Sequence, residues 1–147
     1  MSKPFLIIQL RPEDETSDNE FAKILEFGEL QSDEAQRLRI KTCGLPELDL
    51  ESYAGIIVGG SPFYLSTPKA EKSEIQLQIE QGFMSLLEGI RQRDFTFLGC
   101  CSGNGLLGAY CGASISREYG EPVGGATVIL TDAGKRKLSK KPMRFFS

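Results

Sequence analysis

The chain has 147 residues, 40% of them hydrophobic and 25% charged, with 16 Gly, 7 Pro, 4 Cys and no His. That length supports one core-bearing domain with little room for a second, and no apolar run is long enough to span a bilayer. The net charge of −3 is uneven: residues 1–134 hold 11 bases against all 20 acids, a net of −9, while residues 135–147 hold six bases and no acid. An acidic body of this kind repels phosphate backbones, so neither nucleic acid nor a membrane is expected as a partner.

Phe5 to Leu10 reads Phe-Leu-Ile-Ile-Gln-Leu, the pattern of a parallel strand buried on both faces. It is too short for a signal-peptide core, which points to a cytoplasmic protein. The acidic stretch Pro12 to Glu20 predicts a loop running into a helix around Phe21 to Phe27, where Phe21, Ile24 and Leu25 lie at helical spacing. Gln36 to Lys41 alternates as a half-exposed strand, and Pro46 to Tyr53 reads as a connector.

Gly55 to Val58 is a second buried strand, ending in Gly59-Gly60-Ser61-Pro62. A helix is predicted over Pro68 to Gln92, capped by Thr67, with Ile75, Ile79, Phe83, Leu86, Leu87 and Ile90 on its apolar face. Phe95 to Gly99 predicts a third buried strand, Ser102 to Cys111 a helix of small residues, and Thr127 to Thr131 a further strand. Strands alternating with helices give an α/β fold: a mostly parallel sheet with flanking helices and right-handed crossovers. Chemistry in such sheets collects at the carboxyl ends of the strands, where two glycine-rich turns fall.

One of these turns, Gly99-Cys100-Cys101-Ser102-Gly103, has the form G-x-C-x-G between a buried strand and a helix. This is the thiol version of a nucleophile elbow. Glycines two residues either side admit the close approach of strand and helix, and the thiol stands at a helix N-terminus, where the dipole favours thiolate. The N–H of Ser102 is a predicted oxyanion donor, and the amide of Gly60 on the neighbouring turn is the predicted second. Cys100 is expected to point the other way, into the core. The Gly59–Pro62 turn lacks the lysine and spacing of a phosphate loop, so nucleotide binding is not expected. No metal and no cofactor is expected either: the four cysteines, Cys43, Cys100, Cys101 and Cys111, do not match a zinc ribbon.

Three segments together resemble the class I (triad) glutamine amidotransferases, in particular the group similar to the glutaminase domain of GMP synthase. Ala54 to Pro62 looks like the family's strand and oxyanion turn, Phe97 to Leu107 like its elbow, and Glu118-Tyr119-Gly120 with Val128 to Thr131 like the segment beyond the elbow helix. The resemblance covers roughly residues 5 to 134. It implies a flavodoxin-like sheet and a glutaminase mechanism in which Cys101 attacks the side-chain carboxamide of L-glutamine and ammonia is released. The implied oxyanion donors are the Gly60 and Ser102 amides, and Gly59, Ser61, Asn104 and Gly105 are the implied substrate-binding positions. An ammonia acceptor or synthetase partner is not indicated.

The chain departs from the family at two places. The elbow continues Asn104-Gly105 where the family usually has His-Gln, and the family's downstream His-x-Glu has no counterpart in a chain without histidine. The resemblance stops near Gly134, where the composition turns basic. Residues 135–147 are accordingly expected to be a non-native or disordered tail left by truncation or a frameshift. On that reading the domain is C-terminally incomplete, the chain is inactive by itself, and an exposed sheet edge favours self-association. Two other readings stay open: a catalytically silent binding or regulatory module of the same fold, and a redox or stress protein of the elbow-cysteine superfamily. The last usually places a carboxylate beside the thiol, and the sequence does not point to one.

Overall fold

Apolar residues placed next to each other in sequence build the centre of the sheet in a computed structural model of the chain, which describes residues 3–40, 44–118, 120, 127 and 129–137. Chain contacts divide it into two units, Met1–Arg117 and Glu118–Ser147. In the first, β1 (Phe5–Gln9) lies between β2 (Ala35–Arg39) and β3 (Gly55–Val58), and β4 (Phe97–Gly99) pairs with β3. All three pairings are parallel. The order β2-β1-β3-β4 is that of the first four strands of a flavodoxin-like sheet, so the expected α/β fold is what the chain adopts.

Alternation along β1 divides the two faces of the sheet. Leu6 and Ile8, with Ile56 and Val58 of β3, face α2 (Glu74–Gln92) and α3 (Ser102–Tyr110), where Ile79, Phe83, Leu87, Ile90 and Leu106 complete the core. Ile7 and Gln9 are fully buried on the opposite face, which α1 (Asp14–Gly28) covers. Both ends of the sheet are short strands, and Leu98 on β4 is 45% exposed.

Helix α1 starts at Asp14, seven residues before the expected Phe21. The acidic run is helical rather than loop because its acids are used. Asp14 and Glu15 stand in the first turn, where the helix dipole favours them. Asp14 pairs with Arg39 at 2.5 Å and Asp18 with Arg37 at 2.7 Å, so β2 holds the helix through charge. Helix α2 is also shifted at its start. Lys69–Glu71 form a separate 3-10 turn, and the cap is Ser73, whose hydroxyl accepts from the Gln76 N–H at 3.3 Å, not Thr67. Its apolar face is the expected one, with Ile79, Phe83, Leu87 and Ile90 buried. A clasp joins the ends of α2 and α3: Glu88 accepts from Arg91 at 2.6 Å and from the Tyr110 hydroxyl.

In the second unit a short helix, α4 (Asp132–Lys137), is capped by Thr131, whose Oγ1 accepts from the Gly134 N–H at 3.1 Å. It takes in Lys135 to Lys137, the first residues of the basic segment; residues 138–147 lie outside the described residues. The strand expected over Thr127 to Thr131 is not formed at Thr127 or at residues 129–131, Val128 lying outside the described residues. Ile129 is 85% exposed there. β-forming side chains make a strand only when a neighbour takes up the backbone groups. Among the described residues no helix is long and apolar enough to cross a membrane.

Candidate functional site

Gly99 ends β4 and Ser102 begins α3, leaving Cys100 and Cys101 to turn the chain between them. Cys101 takes φ 52° and ψ −110°, a left-handed conformation that a residue with a Cβ adopts only under strain. The flanking glycines are required by contact. A Cβ on Gly99 would lie 2.4 Å from the Gly103 carbonyl carbon and 2.7 Å from the Asn104 nitrogen. A Cβ on Gly103 would lie 2.7 Å from the Val58 carbonyl oxygen. The turn is pinned to the sheet by the Cys100 N–H, which donates to Val58 O at 2.8 Å.

The two thiols differ in surroundings. Cys101 is exposed, whereas Cys100 is half-buried, and burial followed by the nearby charge of Glu20 pushes the Cys100 thiol up. Cys101 thus presents its sulfur at the head of α3 while its neighbour is held neutral.

The second glycine turn lies beside this elbow. Ser61 N–H donates to Ser102 Oγ at 3.0 Å, and the Ser61 and Ser102 hydroxyl oxygens are 3.0 Å apart. Ser61 Oγ also accepts from the Phe63 N–H at 3.2 Å, which closes the turn. The pair of serines therefore ties the end of β3 to the start of α3. Gly105 packs under the loop that follows β3, where a Cβ would lie 2.5 Å from the Leu65 side chain, and Asn104 is exposed on α3. A narrow cleft between Leu10, Ser61, Phe63, Gln76, Ser102 and Leu106 encloses about 10 Å³, room for about one water.

Gly60, the second expected oxyanion donor, is engaged elsewhere. Its N–H donates to Glu20 Oε2 at 2.8 Å, and the Glu20 carboxylate fills the space a Gly59 Cβ would need, at 2.5–2.7 Å. Glu20 Oε1 accepts from Gln9 Nε2 at 2.9 Å, and Arg11 Nε stands 3.9 Å from Oε2. Gln9 is fully buried with its nitrogen and its oxygen both engaged: Nε2 also donates to Ser17 O at 2.7 Å, and Oε1 accepts from Arg37 Nε. A glutamine inside the apolar run of β1 is the one sequence sign of this network, since a buried amide needs partners. Glu20 itself carries no such sign, because its role depends on how α1 seats against β1.

The structure thus brings Ser61, Ser102, Gly59 and Gly60 together around the head of α3, and it adds Glu20, Gln9 and Arg11. The carboxylate near the elbow that the sequence does not point to is Glu20. Among the described residues no group of three or more Cys, Asp or Glu side chains is placed to hold a metal ion. Comparison with protein-family models, curated proteins and solved structures gave no match to this chain.

Proposed function

We propose that this chain carries the nucleophile of a class I glutamine amidotransferase, with Cys101 as the attacking thiolate and L-glutamine as the substrate. The observation that carries the reading is the strained backbone of Cys101, φ 52° and ψ −110°, between two glycines that tolerate no Cβ. Strain of this kind costs on the order of 1–3 kcal/mol and persists where the surroundings enforce it. An exposed thiol at a helix N-terminus is the chemistry it serves.

In the proposed reaction the Cys101 thiolate adds to the side-chain carbonyl carbon of glutamine. The C–N bond breaks, nitrogen leaves as ammonia after taking up a proton, and a glutamyl thioester remains for water to hydrolyse to glutamate. The Ser102 amide, first in α3, is the proposed donor for the oxyanion. The proton acceptor is not an imidazole of these 147 residues, which contain no histidine. The chain alone is therefore expected to release no more ammonia from glutamine than its Cys101→Ala variant. Added imidazole is expected to raise release by the wild-type chain only. Equal release by both in imidazole overturns the reading.

One observation favours a second reading, a catalytically silent module of the same fold: the Glu20 carboxylate on the Gly60 N–H. A domain with no oxyanion to stabilise has no use for that amide, and ammonia release that imidazole leaves unchanged is its expected outcome.

A further inference from the structure

The Gly60 N–H is occupied by a carboxylate of the chain itself, in a setting built to hold one. Glu20 receives the Gly60 N–H at 2.8 Å and Gln9 Nε2 at 2.9 Å, and only 18% of its side chain is exposed. An oxyanion held by the Gly60 amide needs that N–H free, and a carboxylate already bound to it opposes a second negative charge there. We propose that Glu20 is a gate on the cysteine site, closing the Gly59–Gly60 turn to an oxyanion until the carboxylate moves away. This deepens the reading above and rests on Cys101 being the nucleophile.

A cationic partner for the released carboxylate stands nearby. Arg11 Nε lies 3.9 Å from Glu20 Oε2, and the Arg11 guanidinium covers Gly60, where a Cβ would meet Nη2 at 2.9 Å. Arg11 is 33% exposed at its side chain, and a carboxylate that lets go of the Gly60 N–H keeps this cation as its partner. Because Arg11 is already in reach of Glu20, the switch leaves no buried charge unpaired. The field of Glu20 already reaches the elbow, where it adds to burial in raising the Cys100 thiol.

The test compares two reagents at Cys101. With p-nitrophenyl acetate the thiolate adds to the carbonyl carbon, passes through an oxyanion and expels p-nitrophenolate, leaving S-acetyl-cysteine. With iodoacetamide it displaces iodide directly and forms no oxyanion. The Cys101→Ser variant supplies the background for both. In Glu20→Ala the ratio of acylation to alkylation rates is expected to rise about tenfold, a modest share of the effect of one oxyanion donor in a complete enzyme. A ratio that stays level or falls overturns the gate. Should Glu20→Ala fail to fold by circular dichroism, Glu20→Asp, which retracts the carboxylate by one methylene, is read by the same criterion. Neither reagent is glutamine, so a raised ratio supports the gate even where imidazole fails to elicit ammonia release and the substrate assignment falls.

Discussion

At Cys101 the backbone and the side chain make opposite demands. The thiol needs a Cβ, and the turn needs a residue that tolerates φ 52°. Glycine would relieve the strain and a methyl side chain would not, because alanine keeps the Cβ. Cys101→Gly is therefore expected to stabilise the domain by about 1 kcal/mol net of glycine's greater unfolded-state freedom, and Cys101→Ala to give no gain. Urea unfolding midpoints of the two variants check this, and equal midpoints contradict the assignment of strain. The same logic explains why the elbow is legible in the sequence. Gly99 is forced by its contact with Gly103, four residues on, so that spacing survives as a motif, whereas the contact that forces Gly103 is with the Val58 carbonyl of β3. Glu20 is not legible that way: its contact with Gly60 spans 40 positions and exists only once α1 has docked.

At the scale of elements, strands β1 and β3 are plain in the sequence because burial on both faces demands continuous apolar side chains. Helix starts are less plain. Acidity at Asp14 to Asp18 reads as solvated loop until Arg37 and Arg39 of β2 are seen to pair with it. The Ser73 cap competes with Thr67, and only the geometry of the intervening 3-10 turn separates them. The α2–α3 clasp adds a pH dependence. Hydrogen bonds from Arg91 first, and then from Tyr110 and Gln92, lower the Glu88 carboxyl to about 2. A lowered folded-state value means the clasp contributes fully above the ordinary carboxylate range and is lost as pH falls through about 2. Thermal melting between pH 4.5 and 2 is expected to fall more steeply for the wild-type chain than for Glu88→Gln. Parallel slopes contradict this. The group is on the surface, and salt is expected to shrink the difference.

At the scale of the whole molecule, a doubly wound sheet sets its chemistry at the carboxyl ends of adjacent strands, and β3 and β4 deliver their two glycine turns there side by side. Ser61 and Ser102 join those turns by hydrogen bonds, which makes the Gly99–Gly103 and Gly59–Pro62 turns one structural unit. The layout of the sheet is readable from the alternation of apolar and polar stretches. The state of the site is not, because Gln9, Arg11 and Glu20 come from three different structural contexts: a buried strand, the loop after it and the helix beyond.

The central claim, that Cys101 is a nucleophile shaped to receive glutamine, is tested most directly by a diazoketone analogue of glutamine followed by peptide mass spectrometry. Cys111 is also exposed but lies on no strained turn, so it serves as the internal reference. Modification of Cys101 is expected to run at least about tenfold faster than that of Cys111 and to be slowed by free glutamine, as where orientation and oxyanion contacts assist one thiol alone. Equal modification of the two cysteines, indifferent to glutamine, would contradict it.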